Sequence, residues 1–340
     1  MPPPEKLGKN PQWKLIGLNN SPLSEKQEGM IRDFTGVLKI ASLSKVASPV
    51  FSHFFVKEAI GPVGKKKYPA GNIEYGHLQA LHGEESAVVT LKTNYPDYNG
   101  EVVLGIINGE EGNTASPCGN CRDIMFDSMN GQPEKLHIVS GAQNGGLAVV
   151  TDLRSFLFDE FSEVAGSLRD ELLPIVSSES KYIKANLKGK MYDPYSPPDH
   201  PYPDRIYIVG INNGKGNIFV GGHQVDAAYH PTYAMENAMQ QAEDDVLMHH
   251  ILVLSSNPDS KPPHVMYRDR QRLYEQNQKQ EDILGKPTNP RILLVNDNGQ
   301  GEVKIWETTV KEWLPLPFSS DNFGDFRDVI RKYNISALKS

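Results

Sequence analysis

Apolar and polar residues recur along this chain in two different periods, and the switches between them mark out its elements. Over residues 24–48, "SEKQEGMIRDFTGVLKIASLSKVAS", Ile31, Phe34, Val37, Leu38 and Ala41 fall three or four residues apart, which predicts an amphipathic helix. "PVFSHFFVKEAIG" (49–61) reads as a strand and "HGEESAVVTLKTN" (82–94) as a helix that runs out at Asn94. "EVVLGIING" is an apolar run of strand length, "CRDIMFDSMN" a short helix, and "KLHIVSGA" and "LAVVTDL" two more strands. Strands alternating with helices predict a layered α/β unit rather than an all-helical one.

The character changes between about residues 165 and 205. "SLRDELLPIVSSESKYIKANLKG" is helical in part, and "MYDPYSPPDHPYPD", with its prolines, reads as a connector. The α/β pattern then resumes with "RIYIVGI", "NIFVGG", a helical "TYAMENAMQQAEDDVLM" and a strand "HILVLSS". This second half reads as a repeat of the first. "NIEYGHLQALHGEESA" (72–87) aligns without a gap on "QVDAAYHPTYAMENAM" (224–239), with Glu84 opposite Glu236 and His82 opposite Ala234. "PCGNCRD" (117–123) aligns on "PHVMYRD" (263–269), so that Cys118 and Cys121 meet His264 and Tyr267.

The composition is that of a globular protein, with 38% hydrophobic and 23% charged residues in 340. No apolar run approaches the roughly 18 residues of a membrane span, and the N-terminal "MPPPEKLGKNPQWK" has no apolar core of the secretory type. Two cysteines, three positions apart, do not make a disulfide framework, so a reducing, cytoplasmic location is expected. The net charge of −7 speaks against a nucleic-acid partner, whose affinity comes largely from phosphate neutralisation. The one dense basic run, "KKK" (65–67), is taken as a solvated loop.

The candidate chemistry lies in His82, Cys118 and Cys121. One imidazole and two thiolates suit a tetrahedral Zn²⁺, and three protein ligands leave the fourth position to water, as in catalytic sites. A Cys-x-x-Cys at a helix start directs both sulfurs one way, and the helix N-terminus favours the thiolates. Glu84 follows His82 by two residues. Placed in the first turn, it points at the open side of the metal, where a carboxylate can move a proton from water to a ring nitrogen and a leaving group. "HGE" and "PCGNC" complete the H-x-E…P-C-x-x-C signature of zinc deaminases. A redox Cys-x-x-Cys and a structural half-site are the competing readings, and neither uses His82 and Glu84 together. Glu85 and Glu111 are most simply solvated charges.

These residues resemble the cytidine deaminase family, specifically its two-domain type with an active first domain and a degenerate second one. "HGEESA" is similar to the family's His-Ala-Glu-x-Ser-Ala, and "SPCGNCRDIM" to Pro-Cys-Gly-x-Cys-Arg-x-x-Met. "FSHFFV" (51–56) resembles Tyr-Ser-x-Phe-x-Val, and "GNIEY" (71–75) resembles Gly-x-Asn-x-Glu. The resemblance implies a layered α/β/α cytidine-deaminase-like fold with a mixed central sheet, duplicated in one chain. Together with the pattern along the chain, it divides the sequence into an N-terminal helical arm (1–48), a catalytic zinc domain (49–165), a helical and proline-rich connector (166–205), a degenerate domain (206–318) and a tail (319–340), the arm and the tail lying outside the resemblance. It implies zinc ligands His82, Cys118 and Cys121, a proton shuttle Glu84, sugar contacts Asn72 and Glu74, and Phe54 against the nucleoside. It also implies a homodimer in which Ala228 and Tyr229 of one subunit close the pocket of the other.

The activity implied is hydrolysis of cytidine or deoxycytidine to uridine or deoxyuridine and ammonia. Deamination of another amino-heterocycle or of a modified cytosine nucleoside stands as the alternative on the same residues. A nucleic-acid-editing deaminase and a non-catalytic zinc module are the more distant ones. Two features depart from the family. Gly83 replaces the usual Ala, loosening a helix by about 1 kcal/mol, and Glu85 puts a carboxylate near the thiolates. The segment between His82 and Cys118 is also longer than usual, with "TNYPDYNG" and "NGEEGN" as its insertions.

Overall fold

The apolar stripe expected over residues 24–48 is present, but it is broken in two. Ser24 and Gln27 cap each other, the Ser24 N–H donating to Gln27 Oε1 at 2.9 Å and the Gln27 N–H to Ser24 Oγ at 3.3 Å. They start a short helix that ends at Gly29, and a second helix, Ile31–Ser42, carries the buried Phe34, Val37, Leu38 and Ala41. The computed structural model describes residues 11–50, 55–75, 80–108, 116–158, 161–187, 207–225, 231–242, 247–256, 261–297 and 302–317. These fall into two units, one ending at Leu157 and the other spanning Phe158–Pro317.

In chain order the first unit contains β1 (Trp13–Gly17), α1 (Glu25–Gly29), α2 (Ile31–Ser42), β2 (Val56–Pro62) and β3 (Tyr68–Gly71). A two-residue ribbon, β4 (Ile73–Glu74) and β5 (Ala80–Leu81), leads into α3 (Gly83–Asn94). Then come β6 (Val102–Asn108), α4 (Gly119–Ser128), β7 (Leu136–Gly141) and β8 (Gly146–Asp152). The sheet runs β1-β8-β7-β6-β2-β3. β6–β7 and β1–β8 are parallel pairs and the others antiparallel, so the sheet is mixed. β6 is buried along its whole length, as a strand covered on both faces must be.

α2 covers one face, packing Phe34, Val37 and Leu38 on Ala59, Val103, Val139 and Val150. α3 and α4 cover the other, packing Ala87, Leu91 and Met125 on Ile60, Leu104, Ile106 and Ile138. The layers are therefore α/β/α, as expected. The segment read as an N-terminal arm is built into this unit: β1 closes the sheet edge, and α2 is one of its layers.

The second unit holds α5 (Gly166–Asn186), β9 (Ile208–Asn212), β10 (Ile218–Gly222), the ribbon β11 (Gln224–Val225) and β12 (Pro231–Thr232), and α6 (Ala234–Gln241). β13 (His250–Ser255), α7 (Tyr267–Leu284), β14 (Arg291–Asp297), β15 (Val303–Thr309) and α8 (Val310–Trp313) complete it. Its sheet order β10-β9-β13-β14-β15 repeats β3-β2-β6-β7-β8, with the same parallel and antiparallel pairings. α5 covers one face and α6 to α8 the other. The stretch expected to be a partly helical connector is thus a 21-residue helix of the second core, through Leu172, Val176 and Ile183.

The fold also corrects the register of the repeat. β4, β5 and the first residue of α3 recur at one constant spacing in β11, β12 and the first residue of α6. His82 therefore corresponds to Tyr233 rather than Ala234, and Glu84 to Met235 rather than Glu236, since His82 and Tyr233 are the two N-caps. Farther on, the N-caps Cys118 and Met266 correspond, which sets Cys121 against Asp269 instead of Tyr267. In either register the second unit lacks the ligand set. Among the described residues, no helix is long and apolar enough to cross a membrane.

His137 gives the first unit a pH-dependent stability. It lies on β7 beneath α2, with its ring centroid 6.2 Å from that of Phe34 and its Nε2 3.8 Å from Glu101 Oε2. Burial lowers its proton affinity, which Glu101 offsets only in part. The unfolded chain then binds a proton near pH 6.5 that the folded chain resists, so stability is lost as pH falls below about 6.5. Urea midpoints of metal-free protein should drop between pH 7 and pH 5, and His137→Gln should flatten that drop. Equal drops in the two proteins would refute the assignment.

Candidate metal centre

The two helices on one face of the first sheet begin side by side, and their caps carry the donors. His82 is the N-cap of α3 and Cys118 the N-cap of α4, both with extended backbone, and Cys121 lies in the first turn of α4. His82 Nδ1 stands 3.3 Å from each sulfur, and the sulfurs are 3.5 Å apart. Among the described residues these three are the group of His, Cys and carboxylate side chains that could hold a metal ion. Tetrahedral zinc, with bonds of about 2.3 Å to sulfur and about 2.0 Å to nitrogen, sets its ligand atoms about 3.5–3.8 Å apart. The observed triangle fits that donor set within a few tenths of an ångström.

The charges fit it as well. The Cys118 thiol is held well below its ordinary range by the hydrogen bond from Cys121 and by His82, while burial pushes Cys121 well above it. The neighbouring Cys118 raises His82 to about 9 against the effect of burial. In the metal-free chain, three soft donors thus share protons across a few ångströms. A divalent cation replaces those protons, and two helix N-termini directed at one point favour the resulting thiolates.

Glu84 lies in the first turn of α3, buried, with Oε2 3.2 Å from Cys121 Sγ. Burial is the main cause of its raised proton affinity, followed by Cys118. It stands beside the triangle rather than at one of its corners. Glu85 was expected to be a solvated charge, and its position gives it a different task. Its Oε2 accepts from the His82 N–H at 2.7 Å and its Oε1 from Asn120 Nδ2 at 2.7 Å. One carboxylate therefore ties the start of α3 to the start of α4.

Asn72 is buried behind the ribbon, and its Oδ1 accepts from the Val56 N–H at 3.0 Å. Asn72 and His82 flank the Ile73–Leu81 pair, and Glu74 pairs with Ala80 one step farther along. Phe54, Ala228 and Tyr229 lie outside the described residues.

Two contributors were not singled out from the sequence. Arg122 is fully buried, and its Nε donates to Pro117 O at 2.9 Å and its Nη1 to Phe156 O at 2.8 Å. The guanidinium also stacks on the Phe156 ring, 5.4 Å from its centroid. It fixes the residue that precedes Cys118. Its signals in the sequence are its place after Cys121 and an Arg-Asp pair that recurs in the second half. Glu58, on β2, is fully buried, and neither of its carboxylate oxygens has a hydrogen-bond partner. Burial first and Glu84 second raise its proton affinity well above the carboxylate range.

No family model matches the chain, and no curated protein matches it. Among solved structures it is similar to the cytidine deaminase of Burkholderia pseudomallei, with 23% identity and a TM-score of 0.31 over 37% of this chain and 97% of that one. The cytidine deaminase of Mycobacterium leprae is 22% identical, with a TM-score of 0.29 over the same shares. That of Mycobacterium tuberculosis is 23% identical, with a TM-score of 0.26 over 31% of this chain and 83% of its own.

Arg122 offers a test of the scaffold apart from the donors. Groups that orient ligands typically contribute about 10- to 100-fold to metal affinity. Arg122→Leu should weaken zinc binding within that range while leaving His82, Cys118 and Cys121 in place, as read by competition with a chromophoric chelator. Unchanged affinity would mean that the Pro117 loop is held by other contacts.

Proposed function

We propose that this chain is a zinc-dependent hydrolytic deaminase of a free nucleoside, cytidine or deoxycytidine, with its chemistry in the first unit. The observation that carries this reading is a buried carboxyl, Glu84, beside three donors spaced for zinc. A purely structural metal needs a fourth protein donor and has no use for such a carboxyl. Zinc held there supplies the Lewis acidity that makes water a nucleophile near neutral pH.

The chain's own residues do the rest. His82, Cys118 and Cys121 present their donors from two helix caps. Glu84 would take one proton from the attacking water and pass it to N3 of the base, then take the remaining proton of the hydroxyl added at C4 and deliver it to the departing amine, which leaves as ammonia. Its burial favours the protonated form that such a relay passes through. Asn72 and Glu74, on the chain that leads into and along the strand paired with the residues before His82, are the proposed sugar contacts. Phe54 supplies an aromatic surface for the base. A neutral amide, a carboxylate and an aromatic ring suit a ligand that offers hydroxyls and a ring but no phosphate. Ala228 and Tyr229 of a second subunit would close the pocket in a homodimer, and the second unit, without donors, serves assembly and closure.

Glu84→Gln separates this reading from a non-catalytic zinc module. The variant should bind one zinc per chain by metal analysis and lose turnover by about 10²-fold or more. Wild-type, zinc-loaded protein should consume cytidine or deoxycytidine in an ultraviolet absorbance assay, with cytosine and adenosine as parallel substrates. Turnover by the Glu84→Gln protein at the wild-type rate would remove Glu84 from the mechanism. Zinc bound without turnover of any of the four would refute the substrate assignment.

A further inference from the structure

Glu58 is a buried acid to which the proposed reaction gives no task, and its neighbour is the glycine at the start of α3. β2 presents Val56, Glu58 and Ile60 to the face that carries α3, and Glu58 pairs across the sheet with Ala70 of β3 and Ile106 of β6. A Cβ built on Gly83 would collide with Glu58 Oε1 and lie 2.8 Å from its Cδ and 3.1 Å from Val56 Cγ1. Glu58 is fully buried, so its carboxyl cannot swing aside into solvent. Gly83 lacks a Cβ because the Glu58 carboxyl takes that space. The glycine therefore reads as a fit to Glu58 rather than as a weakness of the helix.

The repeat supplies an internal comparison. In the register of the two folds, Glu58 corresponds to Val209 of β9 and Gly83 to Ala234 of α6. Val209 and Ala234 are both fully buried in the second core. The same fold therefore seats the first turn of this helix in two ways. One uses an ordinary apolar pair, in the unit without donors. The other uses a long acid against a glycine, in the unit with His82 and Glu84 on either side of that glycine. Packing alone does not call for the second arrangement, since burying a carboxyl without a partner is costly.

We propose that Glu58 is a positioning residue: set against Gly83, it fixes the seat of the first turn of α3 and thereby the aim of His82 and Glu84. The proposal rests on the metal-site reading above, through which Glu58 acts. Its test is to give the first unit the pair found in the second, Glu58→Val with Gly83→Ala, beside each single change and Glu58→Gln. Cobalt(II) replaces zinc as the probe, because its visible and thiolate charge-transfer bands report ligand geometry without any turnover.

Gly83→Ala alone should lower the thermal midpoint of metal-free protein by about 3–6 °C through overpacking. With Glu58→Val in place, the same change should no longer lower it, because Ala holds a helix better than Gly. The double variant should therefore fold as stably as the wild type, yet bind cobalt at least about tenfold more weakly and with shifted bands. Glu58→Gln, which keeps the length and shape, should retain the wild-type bands. A double variant with wild-type bands and affinity would overturn the proposal, as would loss of the bands in Glu58→Gln. Cobalt binding by the wild type without deaminase activity would instead count against the catalytic reading and leave this one standing. A wild type that binds no cobalt would sink both.

Discussion

The first unit depends on bringing two helix N-termini to one point. α3 and α4 follow different strands, yet they lie side by side on the same face and begin at the same end of the sheet. Each helix start leaves backbone N–H groups without intrahelical partners, so the place where they converge is electropositive before any ligand arrives. Cys118, whose thiol is held well below its ordinary range, gains most there, while burial raises the proton affinity of Cys121 and Glu84. The N-cap positions add aim. A cap residue has extended backbone, which lets His82 and Cys118 turn their donors in front of their helices instead of along the sides. Glu85 then ties the two starts together.

The second unit shows that this scaffold does not require the chemistry. It repeats the sheet order, the two-residue ribbon and the helices on both faces, and it keeps the buried arginine after the second cap. Arg270 donates from Nε to Val265 O at 3.0 Å, as Arg122 does to Pro117 O. Yet its caps are Tyr233 and Met266, and at the place of Cys121 stands Asp269, which accepts from the Tyr207 hydroxyl at 2.6 Å. A neutral hydroxyl meeting a carboxylate satisfies that buried polar group without a metal. The arginine therefore belongs to the fold, holding the turn before a helix, and adjoins a candidate metal centre only where the caps are donors.

Much of this was legible in the sequence, and what was missed has physical causes. α3 could be read to within one residue because its apolar positions and its end at Asn94 are local signals. The donors could be read because their spacing is itself the signature. α7 could not: its buried face includes Asp269, Arg270, Gln271, Asn277 and Gln280, polar residues paired inside the fold, so the apolar period is faint. α5 reads as only partly helical because the proline-rich segment that follows it carries the marks of a connector, and the helix itself keeps its one proline, Pro174, on its exposed side. The repeat was found but misaligned, because the residues that align best by type are not those the ribbon and caps place in register.

Gly83 and Glu85 show where local reading must stop. By propensity and charge, both count against the site: a glycine loosens the first turn, and an extra carboxylate stands near thiolates. Each is explained by a contact distant in the chain, Gly83 by Glu58 on β2 and Glu85 by Asn120 on α4. Propensity describes a residue in an average setting, whereas a metal centre on two helix starts sets its own terms through neighbours from other elements. Departures from the expected motif therefore carry more information about this site than its matches do. The matches identify the donor set, and the departures identify the side chains that hold it in place.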